Sequence, residues 1–253
     1  GERQVTFATA NLFRYVEQAG QKRRELEDLP TNDHTQIETK NRLHAEAEAA
    51  TAKVKALADC LIALELRGLN GGSYSDARES EADEVQRLLK QDAEAVRKFP
   101  TKNLSSALAA HANEQIRGRR PFHWPVEFPE VFARGGFDAF IGNPPYMGGQ
   151  KISGNLGSDY RNYLLRHISE GRRGSADLCA YVLLRIFALM AAEGGFGVVV
   201  TSAVTEGDSR EVGLDFIVQS NVSVIRAGTR SDWQGSANVT IAIICLWKGE
   251  WSG

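Results

Sequence analysis

A chain of 253 residues with 42% apolar content is long enough to bury a sizeable core as one large domain or two small ones. With 25% charged residues and a formal net charge of -2, it is too evenly charged to be disordered, collagen-like or a basic nucleic-acid-coating protein. Its three cysteines, Cys60, Cys179 and Cys245, lie far apart without CxxC spacing, which argues against a disulfide framework or a structural zinc site, so no metal is expected and a reducing cytoplasm is.

The chain opens on Gly1 and closes on Trp251-Ser252-Gly253 soon after an apolar strand pattern, which reads as a piece of a longer polypeptide. Residues 1–120 are rich in Ala, Glu, Lys, Arg, Gln and Leu with apolar residues at helical spacing, and predict a helical region. The clearest helix runs from Gln36 to Leu66, with Ile37, Leu43, Ala47, Val54, Leu57, Leu61 and Leu64 as its apolar stripe, and stops at Arg67-Gly68. Asn70-Gly71-Gly72-Ser73 reads as a turn or flexible link, followed by a helix from Glu79 to Phe99 that stops at Pro100. A third runs from Leu104 to Arg117 with Thr101 or Asn103 as its cap. Two readings fit this half: a helical subdomain, or a coiled-coil arm that dimerises or embraces DNA. Heptads are not sustained, which favours the subdomain.

At Arg119-Arg120-Pro121 the composition changes, and Pro121, Pro125 and Pro129 beside Phe122, Trp124, Phe128 and Phe132 predict an extended aromatic connector. From here to residue 253, strand patterns alternate with helix patterns, the mark of an α/β domain. Phe137 to Gly142 reads as a buried strand and Ser175 to Ala192 as a helix with Leu178, Val182, Ile186, Leu189 and Met190 inward, ended by Gly194-Gly195. The apolar run within that helix, around Ala180 to Ala192, is broken by Arg185 and too short to cross a bilayer, and no signal-peptide pattern opens the chain, so no membrane partner is expected. Phe196 to Thr201, Val222 to Arg226 and Val239 to Trp247 supply further strands, with a short helix from Glu211 to Gln219. Together they predict an open twisted sheet covered by helices.

Asn143-Pro144-Pro145-Tyr146 directly follows the first strand, at the carboxyl end where open α/β sheets bind ligands. Two prolines fix φ and remove two backbone donors, leaving a rigid platform of acceptors. The Asn143 side-chain oxygen and the Pro144 carbonyl can both accept from one amino group. Such bonds strengthen as nitrogen gives up its lone pair to a methyl group and gains positive charge, so they favour the transition state. Tyr146 offers a flat face on which a flipped-out base can stack.

The stretch from Phe137 to Tyr146 resembles the fourth motif of adenine-specific DNA methyltransferases, in particular the large Eco57I-like restriction-modification and phage-defence enzymes. Gly174-Ser175-Ala176-Asp177-Leu178 resembles the fifth motif, Gly194-Gly195-Phe196-Gly197-Val198-Val199-Val200 the sixth, and Ala237-Asn238-Val239-Thr240 the eighth, in matching order over most of residues 121–250. The resemblance implies a partial Rossmann-like methyltransferase sheet with helices on both faces, fed by S-adenosylmethionine and acting on double-stranded DNA. By the same resemblance Asn143 and Pro144 hold the target amine next to the cofactor, Pro145 keeps the turn rigid and Tyr146 stacks on the flipped adenine. Trp233 is the candidate for a second aromatic face, the alternative being a partly buried surface aromatic.

The family's first motif, a glycine loop that cradles the methionine part of the cofactor, is not found: Gly71-Gly72 follows a helix pattern and Gly194-Gly195-Phe196-Gly197 precedes a strand. No target-recognition domain follows the eighth motif. The expectation is a fragment, inactive alone, of an enzyme whose cofactor-binding and DNA-reading parts lie elsewhere in the polypeptide. Two other functions remain open: a protein-glutamine or RNA N-methyltransferase using the same tetrapeptide, and a non-catalytic helical scaffold. The stretch Met147 to Asp159, containing Lys151, reads as a loop that closes over substrate or as a disordered connection. Arg161, Arg166, Arg172 and Arg173 read either as phosphate contacts or as a solvated helix face. His111, His123 and His167 have no partners at metal or triad spacing and read as structural, and no nuclease pattern stands out.

Overall fold

Alanine-rich, charge-rich sequence without β-branched runs favours helix. The computed structural model, which describes residues 17–26, 28–30, 33–99, 105–172, 174–232 and 240–252, places helices throughout the first half. The chain divides into two compact units, Gly1–Ala133 and Arg134–Gly253.

In the first unit, residues 17–26 are helical (α1). Helix α2 spans His34–Leu66, opened by Asp33, whose carboxylate accepts from Gln36 N at 2.8 Å, and closed by Arg67 and by Gly68 at φ 68°. Helix α3 spans Gly71–Lys98, so Asn70-Gly71-Gly72-Ser73 is a helix start and not a link. Two glycines lower the local propensity, but Asn70 is in the extended N-cap conformation and the Tyr74 hydroxyl donates to Glu65 on α2, which pins the first turn.

Helix α4 spans Ala107–Gln115, shorter than expected, with Ser106 as N-cap accepting from Ala109 N at 3.1 Å; Thr101 and Asn103 lie outside the described residues. Its capping is not local. Buried Asp92 on α3 accepts from Ala107 N at 2.7 Å and from Ser106 Oγ at 2.6 Å, placing a carboxylate on the positive end of α4. A small core of Ala56, Cys60, Leu88, Leu108 and Ala112 joins α2, α3 and α4. The proline-rich stretch is not extended: it forms two helical turns, α5 (Trp124–Glu127) and α6 (Pro129–Phe132), with proline in each first turn, where a missing N–H leaves no bond unmade.

The second unit is a four-stranded sheet in the order β1-β2-β4-β3. Strand β1 (Phe137–Gly142) runs parallel to β2 (Met190–Thr201), and β4 (Thr240–Lys248) is antiparallel both to β2 and to β3 (Val222–Asp232). Helices α7 (Gly149–Leu156), α8 (Ser158–Tyr163) and α9 (Leu178–Leu189) connect β1 to β2; a broken helical stretch including α10 (Gly207–Ser209) and α11 (Asp215–Val218) connects β2 to β3.

The sheet departs from expectation at three places. Helix α9 ends at Leu189 and β2 begins at Met190, so Gly194 and Gly195 lie inside a strand. A Cβ on Gly194 would stand 2.9 Å from the Phe137 carbonyl oxygen, and one on Gly195 2.9 Å from the Trp247 ring, so close strand pairing needs glycine at both. Strand β1 is not buried: among the described residues it is an edge strand with β2 as its neighbour, and Ile141 is 92% exposed.

Helices do not cover both faces among the described residues. Phe196, Val198 and Val200 with Ala242, Ile244 and Leu246 face the core formed with α9, while Val199 and Cys245 are half-buried and Ile243 is exposed. Both crossovers step the same way along the sheet, and right-handed crossovers then fall on the same face.

Candidate active site

Strand β1 delivers Asn143-Pro144-Pro145-Tyr146 at its carboxyl end, directly after the pair Gly142↔Val198. Asn143 is exposed, Pro144 buried and Tyr146 half-buried against the core. The Tyr146 hydroxyl donates to Asn143 Oδ1 and lies 3.2 Å from a second acceptor, the Val199 carbonyl on β2. Burial, then the neighbouring Cys179, raise the phenol above its ordinary value against the opposing pull of Asn143, so at neutral pH it is an uncharged donor.

The rest of the turn is joined to the start of α9. The Met147 carbonyl accepts from Leu178 N at 2.9 Å, and the Pro145 carbonyl accepts from Cys179 Sγ at 3.4 Å. Buried Asp177 caps α9 by accepting from Cys179 N at 2.9 Å, reaches Met147 N at 3.5 Å, and is itself held by Ser209 Oγ, 2.8 Å from its backbone N. Burial, reinforced by the charge of Asp177, pushes the Cys179 thiol up to about 12, so it acts as a protonated donor and not as a nucleophile. Gly149 completes the seam: a Cβ there would stand 2.2 Å from the Ser175 carbonyl oxygen.

The arrangement is a rigid, uncharged acceptor platform. Asn143 presents a side-chain amide at the surface, the prolines contribute no N–H, and the Asn143–Tyr146 pair is bonded to a backbone carbonyl and to no ionised group among the described residues. Such a site suits a neutral amine that becomes cationic as it reacts, because its acceptors bind the charged form more strongly.

Of the residues singled out from sequence, Asn143, Pro144, Pro145 and Tyr146 are together in one turn. Lys151 is exposed on α7: the stretch from Met147 to Asp159 is largely helical and not a loop, anchored by Gly149 and by Ile152, which is 1% exposed. Trp233 and Ala237-Asn238-Val239 lie outside the described residues. Arg172 stacks over the Phe216 ring at 3.8 Å and lies 3.6 Å from Glu170, so it is engaged within its own unit; Arg161 is half-buried, Arg166 exposed, and Arg173 lies outside the described residues. Sequence reasoning missed Cys179, Ser209 and Val199 as partners of the turn. A thiol or hydroxyl 30 or more residues away carries no local signal, although Asp177 before an apolar run does read as a helix cap.

Comparison with known proteins gives two matches. A protein of Methanocaldococcus jannaschii named a type II restriction enzyme and methyltransferase is 29% identical over 96 residues, covering 37% of this chain and only 7% of that protein. The Eco57I restriction-modification methylase family matches residues 8–225. That range includes the helical unit, which the motif resemblance over residues 121–250 did not reach, and ends inside β3, ahead of the stretch resembling the eighth motif. Both the helical unit and the sheet up to β3 are therefore features of one known family, and the chain belongs to the Eco57I restriction-modification methylases.

Proposed function

We propose that this chain carries the substrate side of a DNA adenine-N6 methyltransferase of a restriction-modification or phage-defence system. The observation that carries the reading is the Asn143-Pro-Pro-Tyr146 turn, held at the carboxyl end of β1 with Asn143 exposed and Tyr146 bonded to it. Family membership supports it. In this reading the adenine amine replaces the Tyr146 hydroxyl at Asn143 Oδ1 and takes the Pro144 carbonyl as its second acceptor. Released Tyr146 lies against the base extruded from double-stranded DNA. Trp233 is the proposed second face and exposed Lys151 a proposed substrate-binding residue.

S-adenosylmethionine, the proposed donor, supplies the electrophilic methyl group. Asn143 and the proline turn fit the reacting end of such a group. For its adenosyl and methionine parts, neither glycine stretch forms a strand-to-helix cradle, since Gly71-Gly72 open a helix and Gly194-Gly195 lie within β2. Those contacts, like the reading of a DNA sequence, are assigned to other parts of the polypeptide, and the chain alone is proposed to be inactive.

The test is N6-methyladenine in the DNA of a methylation-free host expressing the full-length gene. Methyladenine is expected with the natural sequence. Asn143→Ala should lower its formation by about 10²–10³ with DNA binding retained, the loss typical of one transition-state hydrogen-bond partner. Absence of methyladenine from both, or equal loss of binding and methylation, overturns the reading and moves the substrate to a protein or RNA nitrogen.

A further inference from the structure

Three helices of the first unit bring together side chains that are far apart in sequence. Cys60 on α2, Glu81 on α3 and His111 on α4 present one sulfur, one oxygen and one nitrogen that all lie within 4.8 Å of one another. His111 Nε2 is already 2.7 Å from Glu81 Oε1, Cys60 is 2% exposed, and the Glu81 and His111 side chains are 12% and 17% exposed. The second Glu81 oxygen lies 3.5 Å from Arg67 Nη2, and Arg67 is in turn 2.7 Å from Gln115. One carboxylate oxygen thus faces the cluster while an outer partner holds the other, the arrangement that orients a metal-ligating carboxylate.

We propose that Cys60, Glu81 and His111 bind a zinc(II) ion that ties α2, α3 and α4 together. Thiolate, imidazole and carboxylate are the ligand types zinc takes, and the sulfur disfavours magnesium or calcium. Zinc bonds of about 2.0–2.3 Å put tetrahedral ligands about 3.5 Å apart. No two of the three atoms are more than 4.8 Å apart and the Glu81–His111 pair stands at 2.7 Å, so an ion needs that pair to open by less than an ångström and a pair at the outer bound to close by about one. A dication with one thiolate, one carboxylate and one neutral imidazole is a charge-balanced buried site, with water in the fourth position. On binding, the Cys60 S–H bond breaks heterolytically, the sulfur keeps the electron pair for zinc, and the proton leaves to solvent.

The bundle has a use for such a tie. Its core is Ala56, Cys60, Leu88, Leu108 and Ala112, mostly small side chains, and small cores gain most from a metal staple.

The experiment uses the whole chain, metal-free, with Cys245→Ser to remove the half-buried thiol on β4. Cobalt(II) titration should give a thiolate-to-cobalt charge-transfer band at one equivalent, bleached by zinc, and native mass spectrometry should show one zinc retained per chain. Cys60→Ser should abolish the band, and Glu81→Gln or His111→Gln should weaken binding by about 100-fold or more, since even outer-partner losses cost 10–100-fold. Helicity by circular dichroism verifies that each variant is folded. No band from the unsubstituted cluster, or a band that survives Cys60→Ser, overturns the proposal. Neither result bears on methyl transfer.

Discussion

In the sheet unit, Leu183, Val198, Val200, Ile217 and Leu246 are at most 2% exposed and form a continuous apolar core, and its connecting turn is sewn to α9 by short-range backbone and thiol bonds. In the helical unit the core cluster is smaller, Ala56, Cys60, Leu88, Leu108 and Ala112, and polar and ionic contacts join the helices as well. Lys55 bonds Glu48 at 2.7 Å and Glu127 at 2.8 Å, Arg23 bonds Glu48 at 2.9 Å, and His123 bonds Asp59 at 2.7 Å. The unit that carries the Asn143–Tyr146 turn thus rests on a large packed core, while the other adds ionised contacts to a smaller one. Placement of Asn143 within ångströms needs close packing; holding helices in a bundle does not.

Four measurements break or sharpen that contrast. The largest effect is expected from Gly149→Ala, whose new methyl meets the Ser175 carbonyl at 2.2 Å. Backbone must move, at a cost of about 3 kcal/mol, seen as a lower urea midpoint and as loss of the seam that places Tyr146. A midpoint unchanged from the natural sequence would show that shape is not what fixes this turn. Next, Asp92→Ala strips α4 of its cross-helix cap and leaves Ser106 and Ala107 N without their acceptor. About 2 kcal/mol should be lost by chemical denaturation, confined to the helical unit by hydrogen exchange.

Acid is the third probe. Burial alone would raise the Glu48 carboxyl, but its bond to Lys55 and the charges of Lys55 and Arg23 outweigh that and hold it below its ordinary value. The Glu46 and Glu84 carboxyls are likewise lowered, chiefly by their bonds to Lys22 and Arg87, and all three lie in the helical unit. A carboxyl with a depressed folded value contributes stability above about 4.5 that is lost as pH falls through the lower value. The helical unit should therefore loosen first on acidification, detected as early amide exchange in α2 and α3; simultaneous loosening of both units would contradict the contrast. The smallest effect belongs to Tyr146→Phe, which removes the hydroxyl from Asn143 and Val199 but keeps the ring. A loss of about 1 kcal/mol or less in stability is expected.

Legibility from sequence followed whether the deciding contacts were local. The limits of α2 and the turn after β1 were readable because caps and prolines act over a few residues, whereas the inward face of α9 was read only in part: Leu178 and Leu189 are buried, but Val182 and Ile186 are half-buried and Leu183 and Leu184 take the core. The start of β2 was not readable: Met190 to Ala192 continues an apolar helix pattern and Gly194-Gly195 reads as its stop, and only pairing with β1 and with Trp247 turns the stretch into strand. Exposure of β1 was also hidden, since Phe137 to Ile141 reads as buried whether or not a second neighbour flanks it. At the candidate site, Asn143 to Tyr146 stood out by residue type and by its place after a strand, whereas Cys179, Ser209 and the Cys60, Glu81 and His111 cluster needed the fold to bring them together.

The contact between Gly149 and Ser175 also bears on how this domain tolerates change in length. The chain leaves Gly149 and comes back beside it at Ser175, with Ile152, Leu164 and Ser169 buried in between and Leu156, Tyr160, Leu165 and Ile168 packed on the core. A stretch whose two ends already touch is a cassette: doubling its length adds only about 0.6 kcal/mol of closure entropy. Provided its core-facing residues are kept, its exposed turns are expected to accept insertions without strain on β1 or α9. The fold thereby offers a place beside the Asn143–Tyr146 turn where new surface can be inserted while the turn itself is left untouched.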